Sequence, residues 1–344
     1  MKIVYYVHDL HFPLREGIRK QAWWLAQAMQ QEGHMVEILS TSSKIRRAGR
    51  IIREGIPINY IKPWRPKRIS ADIIHYFIHP TPIIVPFLLL AKTKAQIMTV
   101  QDGALNWCWK RIWWPFLSPL INAKIDTITV QTEYQKNLLQ KTNLNLPTVK
   151  IDPLLPKLKK KRKNNQRNKI PTLLFMSHLH PSKGIREVLK AFTIVRQKIP
   201  KIQLIIADSG ITINKTTYRY IQKINQGDIV LKNTVVPEEE LSKTWVYLYP
   251  INTARETFSV PLSLLEAIQI KTPYISTTVG GIPEYFDSRA LVPPRNPEFL
   301  AEKILEFIRK PKVYPLKKEI KNEEVIRKHL QLYALATKSQ INKF

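Results

Sequence analysis

The chain has 344 residues, with 55 lysines and arginines against 26 aspartates and glutamates, and a single cysteine. Its length predicts two domains, and 44% hydrophobic with 24% charged residues is typical of a globular protein rather than a disordered or fibrous one. The lone Cys108 excludes an intramolecular disulfide and any zinc or iron–sulfur site built on several thiolates. The opening MKIVYYVHDLHF has no apolar core followed by a small-residue cleavage site, so we expect a cytoplasmic protein.

The formal net charge of +29 suits nucleic acid, anionic lipid or phosphorylated substrates as partners. The excess is spread along the chain, with one dense run from Lys157 to Lys169 that is typical of a solvated linker. Because no nucleic-acid motif accompanies this diffuse charge, we do not expect nucleic acid to be the partner.

The first forty residues predict a strand–helix–strand unit. Lys2–Val7 is a β-branched and aromatic run, apolar residues from Ile18 to Met29 recur at helical spacing, and MVEILS follows Gly33. Gly33 stands where a helix end favours a left-handed residue. Such a unit folds as a right-handed crossover in a parallel sheet.

The same alternation continues along the chain. Further strands are predicted at 57–61, 72–76, 96–100, 127–130, 172–177, 203–208, 228–231, 245–250 and 272–277, with helices at 133–140 and from Ile185. The sequence therefore predicts an α/β protein with two doubly wound, Rossmann-like domains facing each other across a cleft. The predicted parts are an N-terminal domain (1–156), a basic linker (157–170), a C-terminal domain (171–318) and a C-terminal helix (319–344) packing back on the N-terminal domain.

The segment from Ile73 to Ala91 has no formally charged residue, which raises the alternative of a membrane span. Three prolines and two histidines argue for a buried strand, a loop and a helix start instead. His75 and His79 have the spacing of helical metal ligands, but their place at a predicted strand end favours hydrogen-bonded histidines.

Two stretches carry candidate chemistry. In Ser177-His-Leu-His-Pro-Ser-Lys-Gly184, a loop leads from a strand into a helix, where free N–H groups and Lys183 suit a diphosphate. The alternative is an exposed lysine in an ordinary turn. In the second stretch, from Arg255 to Glu284, Glu266 lies in an apolar helical run, where it is either an exposed residue or a carboxylate that accepts bonds from a ribose.

Together these stretches resemble the retaining glycosyltransferases of the GT-B fold known as glycosyl group 1 transferases. The strongest part is LLEAIQIKTPYISTTVGGIPE, and ADIIHYF, IDTITVQTEYQKNLL and QAWWLAQAMQQEGHMVEILS are similar to the family's N-terminal segments. The resemblance implies a C-terminal domain that binds a nucleotide-sugar and an N-terminal domain that binds the acceptor. It assigns the diphosphate to Lys183 and the ribose to Glu266, and it places the Val279–Pro283 loop with Gly280 at the donor pocket.

Several positions depart from the family pattern. The family usually has two glutamates separated by seven residues. Here nine residues separate Glu256 from Glu266, and we take Glu256 as the first glutamate of the pair, although strict spacing would put Phe258 at that position. His178 replaces an arginine, Gln101 with Asp102 replaces a histidine, and the glycine-rich acceptor loop is reduced to Glu16-Gly17. We expect donor contacts from His178 and from the backbone of Thr257, Phe258, Ser259 and Val260, and catalytic roles for Glu256, Gln101 and Asp102.

The resemblance implies metal-independent sugar transfer with anomeric retention, in polysaccharide or glycolipid synthesis, to a sugar or lipid-linked acceptor and without a cofactor. The departures leave an alternative, an inactive relative that serves as a scaffold for an active transferase.

Two basic, apolar stretches predict docking on the inner face of an anionic membrane. They are the helix-like Lys44–Arg53, with Ile45, Ala48, Ile51 and Ile52, and the cluster of Trp107, Trp109, Trp113, Trp114 and Phe116 beside Lys110 and Arg111. The alternative is a solvated surface helix and an aromatic core helix.

Overall fold

The computed structural model describes residues 1–14, 16–41, 49–62, 66, 68–78, 81–100, 112–156, 167–208, 215–233, 235–254 and 260–339. The chain divides into two compact units, Met1–Leu154 with Ile320–Phe344, and Leu155–Glu319. Each unit is built on a largely parallel sheet with helices, so the predicted α/β fold with two parallel-sheet bodies is confirmed.

The elements of the first unit come in the following order. They are β1 (Lys2–His8), α1 (Gly17–Gln31), β2 (Met35–Thr41), β3 (Gly49–Arg53), β4 (Ile56–Ile61), β5 (Ile69–Phe77), α2 (Val85–Leu90), β6 (Ala91–Thr99), α3 (Trp114–Lys124), β7 (Thr127–Val130), α4 (Glu133–Leu139) and β8 (Thr148–Lys150).

The second unit and the end of the chain follow. They contain β9 (Thr172–Ser177), α5 (Ile185–Lys198), β10 (Gln203–Asp208), α6 (Lys215–Ile224), β11 (Ile229–Lys232), α7 (Pro237–Lys243), β12 (Val246–Tyr249), α8 (Leu262–Gln269), β13 (Tyr274–Thr277), α9 (Ile282–Tyr285), β14 (Leu291–Val292), α10 (Pro297–Arg309) and α11 (Asn322–Ser339).

The first sheet has the order β3-β4-β2-β1-β5-β6-β7-β8, and only β3 runs antiparallel to its neighbour. Strand β1 is central because its residues from Ile3 to Val7 are apolar on both faces and at most 2% exposed. On one face, Val4 and Tyr6 pack in a cluster with buried residues of α2 and α3. Helices α1 and α11 contact each other and strand β5.

A buried hydrogen-bonded chain joins α11 to this sheet. His75 lies inside β5, with Nδ1 2.7 Å from the Tyr333 hydroxyl and Nε2 2.6 Å from the Thr99 hydroxyl. The expectation of a hydrogen-bonded histidine is thus confirmed, although the residue lies within its strand rather than at the end. His79 lies outside the described residues, and no group of three metal-ligating side chains occurs among the residues that are described.

The second sheet is parallel throughout, in the order β11-β10-β9-β12-β13-β14. All its strands therefore end at one edge, and the connections after β9, β12 and β13 meet there. Strands β9 and β10 have the bounds predicted from the sequence, because both are short apolar runs.

Two expectations from the sequence need correction. The part of Lys44–Arg53 that is described, Gly49–Arg53, is the exposed strand β3 instead of a helix, because its residues pair with β4 in antiparallel register. The last residues of the predicted linker belong to the second unit: the indole of Trp245 donates to the Asn168 carbonyl at 2.8 Å, and the Arg167 guanidinium lies over the Trp245 ring.

The described residues of the uncharged segment 73–91 form the end of β5, a 3₁₀ turn at Pro82–Ile84, helix α2 and the first residue of β6, in agreement with the predicted strand and helix start. Within the described ranges, we find no helix with the length and apolar character needed to cross a membrane.

Candidate functional site

The loop after β9 forms a compact turn that presents Lys183 at the carboxyl edge of the second sheet. Residues Pro181–Lys183 form a 3₁₀ turn, and the backbone N–H of Lys183 donates to the His180 carbonyl at 2.9 Å. His180 also accepts from the Ser182 N–H at 3.3 Å, which fixes the start of the turn. Helix α5 begins at Ile185, directly after the turn.

Gly184 is required by the geometry between this turn and α5. Its φ of 81° is left-handed, and a Cβ at this position would lie 1.8 Å from the Pro250 carbonyl oxygen. A side chain therefore meets both backbone strain and a backbone clash at this position. The close approach brings the turn after β9 against the end of β12.

Asn252 holds three loops of this edge together. Its backbone N–H donates to the Ser182 carbonyl at 2.9 Å, and its side-chain Nδ2 donates to the Pro181 carbonyl at 3.0 Å. Its Oδ1 accepts from the backbone N–H of Arg295 at 3.2 Å. Sequence reasoning missed Asn252, because nothing in the local pattern shows that its side chain reaches residues 71 positions earlier.

Lys183 is a buried cation, with only 9% of its surface exposed. Lysine is rarely buried to this extent, because removing an ammonium from water is costly unless a polar or charged partner compensates. The exposed turn lysine that the sequence left open as an alternative is therefore excluded. A cation held in this loop can provide a fixed positive charge for a phosphate group.

Glu266 is also buried, at 5% exposure, on helix α8. It lies close enough to Tyr247 to contribute to the raised pKa of that phenol, whose main cause is burial. The Tyr247 hydroxyl in turn donates to the Met176 carbonyl at 3.5 Å, near the end of β9. Glu266 is therefore a carboxylate packed against the sheet at this edge and not an exposed helix residue.

The end of β13 is hydrogen-bonded to the end of β12 and to the connection after it, at the carboxyl edge of the second sheet. The Thr277 hydroxyl donates to the Ile251 carbonyl at 2.7 Å, and the Ser276 hydroxyl donates to the Tyr249 carbonyl at 2.9 Å. Gly280 then has a left-handed φ of 60°, and α9 begins at Ile282. The loop after β13 therefore leaves the sheet at the same carboxyl edge as the turn that carries Lys183.

Among the other residues singled out in the sequence, His178 and the buried Val260 lie in the second unit beside these loops, and Gly17 is the first residue of α1 in the first unit. Six of the predicted catalytic and donor-binding positions lie outside the described residues: Gln101, Asp102, Glu256, Thr257, Phe258 and Ser259. The structure therefore brings together Lys183, His178, Glu266, Val260 and Gly280 in one unit.

Residues 156–324 match the sequence profile of the family described as glycosyl transferases group 1. No curated protein sequence matches the chain.

Several solved structures share the fold. Sucrose-phosphate synthase from Thermosynechococcus elongatus has a TM-score of 0.74 at 14% identity, covering 98% of this chain and 99% of that one. HepE from Anabaena, solved with UDP and glucose, has a TM-score of 0.71 at 11% identity, covering 100% and 98%. The UDP-forming α,α-trehalose-phosphate synthase from Burkholderia xenovorans, solved with glucose-6-phosphate, has a TM-score of 0.69 at 10% identity, covering 100% and 99%. This chain therefore has the GT-B fold.

Proposed function

We propose that this chain, whose residues 156–324 match the glycosyl transferases group 1, transfers a sugar from a nucleoside diphosphate sugar to an acceptor hydroxyl with retention at the anomeric carbon. The observation that carries the proposal is the pair of buried, oppositely charged side chains at the carboxyl edge of the second sheet, Lys183 and Glu266. A cation suits a diphosphate, and a carboxylate suits the two hydroxyls of a ribose.

In the proposed reaction, the bond between the anomeric carbon and the diphosphate oxygen breaks, and the electron pair stays on that oxygen. Lys183 and backbone N–H groups of the surrounding loops stabilise the negative charge that develops on the leaving group. The acceptor oxygen bonds to the anomeric carbon on the face that the diphosphate leaves, and the acceptor's proton passes to the leaving diphosphate oxygen. Because Lys183 supplies the positive charge, we propose that the reaction needs no metal ion.

Asn252 and Gly184 have a positioning role in this proposal. Asn252 donates to the Pro181 carbonyl, and Gly184 permits the approach to Pro250, so together they fix the turn that carries Lys183. A fixed charge stabilises a transition state more than a mobile one, because it needs no reorganisation during the reaction. Glu256, Gln101 and Asp102 remain predicted catalytic residues, and His178 remains a predicted donor contact.

The first test is ligand-induced stabilisation. UDP is the first probe, because two of the structures that share the fold are described with UDP or as UDP-forming, and GDP is the second. A nucleoside diphosphate that binds only the folded chain raises its Tm. We expect UDP or GDP to raise Tm more than uridine or guanosine. No shift with any nucleoside diphosphate would contradict the proposal and favour the scaffold alternative.

A chain that binds the nucleotide is then tested for chemistry. Incubation with nucleotide-sugars should release the nucleoside diphosphate, and NMR of the product should show the donor's anomeric configuration. Binding without release in the presence of acceptors would identify an inactive transferase fold, whereas an inverted product would contradict retention alone.

A further inference from the structure

The first two turns of helix α3 are apolar on their outer face as well as on their inner face, although the helix lies at the surface of the first unit. Its inner face, with Trp114, Leu117 and Ile121 at most 3% exposed, packs in the cluster beneath it. Its outer face carries Pro115, Phe116 and Pro119, all exposed. A helix of a soluble domain normally has a polar outer face, whereas one that is apolar all round is buried or contacts lipid.

The apolar surface extends beyond α3. Ile112, just before the helix, is 92% exposed, Phe116 is 80% exposed, and Leu89 on the contacting helix α2 is 55% exposed. We call Leu89, Ile112, Pro115, Phe116 and Pro119 the apolar ridge. Exposed large apolar side chains on two contacting helices are uncommon on a soluble protein and indicate an interaction surface.

The charged side chains beside the two helices of the ridge are mostly positive. Residues 81–100 and 112–126 contain Lys92, Lys94 and Lys124 and one acidic residue, Asp126, whose carboxylate accepts a hydrogen bond from the Gln96 backbone N–H at 2.8 Å. Lys94 pairs with Asp72 at 3.0 Å. Lys92 and Lys124 are exposed, two residues after α2 and at the end of α3. The partner of the ridge should therefore combine an apolar layer with negative charge.

We propose that the apolar ridge docks on an anionic lipid bilayer, with Phe116 and Ile112 entering the boundary between headgroups and acyl chains. A bilayer provides an apolar layer below negative headgroups, which matches the ridge and its flanking lysines. A second copy of the chain fits less well, because it has the same net charge of +29. Helix α3 has 11 residues, so it lies in the interface and does not span the bilayer.

The inference rests on the proposed function only in the point that the acceptor is lipid-linked. A transferase held on a membrane meets acceptors that are themselves lipid-linked. The docking surface overlaps the two stretches expected from the sequence at Phe116. Residues 44–48 of the first stretch and Trp107, Trp109, Lys110 and Arg111 of the second lie outside the described residues. Of those stretches, the described Gly49–Arg53 is a strand, Trp114 is core, and Phe116 belongs to the ridge.

The test is co-sedimentation of the full chain with vesicles of phosphatidylcholine alone or mixed with phosphatidylglycerol, at low and high salt. We expect binding to the mixed vesicles that weakens with salt, because headgroup attraction is screened. The double variant Ile112→Ser with Phe116→Ser should lower the partition coefficient by about tenfold or more, because two apolar side chains no longer enter the bilayer. Leu335→Ser is the matched control: Leu335 is 68% exposed on α11 of the same unit, and its loss should leave partitioning unchanged.

Tm and UDP-induced stabilisation are measured on the same samples to show that each variant is folded. Failure of the wild-type chain to bind mixed vesicles at low salt, or equal binding by the double variant, overturns the docking proposal. A dimer that the double variant dissociates, without vesicle binding, overturns it in favour of a second copy. Vesicle binding without nucleotide binding would leave the docking surface standing and contradict the proposed transfer.

Discussion

The Tyr333 hydroxyl lies 2.7 Å from Nδ1 of His75, which joins the last helix of the chain to the interior of β5 across 258 positions. The same hydroxyl lies 3.1 Å from that of Tyr5 on β1. Tyr333 is thus the point where α11 bonds to two central strands of the first sheet. Both contacts are fully buried, so each polar group depends on its protein partner.

We predict that Tyr333→Phe lowers the free energy of unfolding by about 1–3 kcal/mol, because the His75 ring nitrogen and the Tyr5 hydroxyl each lose a buried partner. Urea unfolding followed by circular dichroism measures the change. Tyr220→Phe, at a tyrosine 40% exposed on α6, is the control and should change stability by less than about 0.5 kcal/mol. Equal effects from the two substitutions would show that the buried contacts contribute nothing.

Two buried histidines predict an acid-sensitive first unit. Burial lowers the pKa of His329 to about 4 and holds the pKa of His75 well below its usual range. The unfolded chain protonates both near pH 6.5, so between about pH 6.5 and 4 it binds more protons than the folded chain. The free energy of unfolding therefore falls as pH decreases through this window and is independent of these two groups above it.

His329→Gln tests this window. The variant should flatten the dependence of unfolding free energy on pH by about 1 kcal/mol per pH unit between pH 6.5 and 5, because one group with a lowered pKa is removed. Urea titrations at several pH values give the slope. An unchanged slope would show that the pKa of His329 is the same in the folded and unfolded chains.

Gly184→Ala should destabilise the second unit and weaken nucleotide binding, because the added Cβ would meet the Pro250 carbonyl oxygen. Gly227→Ala is a matched control in the same unit, since Gly227 also has a left-handed φ, 89°, but nothing within 4 Å of its added Cβ. The control isolates the backbone strain, about 1 kcal/mol, and Gly184→Ala should exceed it by at least as much again. Similar Tm values for the two variants would contradict the close packing at Gly184.

Lys183→Met should weaken UDP binding by about 10–100-fold while leaving uridine binding nearly unchanged, because the lost charge faces the phosphates. Isothermal titration with both ligands measures the difference. The control is Lys190→Met, which removes an exposed lysine of α5 in the same unit. Parallel losses for UDP and uridine would show that Lys183 supports the fold without contacting the diphosphate.

The Asn252→Asp variant tests whether Asn252 acts by positioning the turn that carries Lys183 and not by contacting UDP. The aspartate keeps an oxygen for the Arg295 N–H, but it loses the Nδ2 donor and faces the Pro181 carbonyl with another acceptor. We expect UDP affinity to fall by about 3–10-fold through displacement of the turn that carries Lys183. In the double variant with Lys183→Met the effect of Asn252→Asp should largely disappear, whereas additive losses would place the two residues in independent roles.

The sequence by itself determined those features that depend on neighbours within a few positions. Strands β9 and β10 are short apolar runs, and Gly33 ends a helix in the left-handed conformation, with a φ of 80°. The motifs around Lys183 and Glu266 likewise indicated the family, because they are continuous stretches of chain.

Only the tertiary structure decided which side chains are buried and which distant residues meet. Glu266 could have been an exposed helix residue until the packing of α8 against Tyr247 showed otherwise, and nothing near Asn252 reveals its contact with Pro181. The helix predicted over Lys44–Arg53 was wrong at Gly49–Arg53, because these residues pair with strand β4 although their apolar residues have helical spacing. Burial and cross-strand pairing depend on the order of strands in the sheet, and this order brings together residues that lie far apart along the chain.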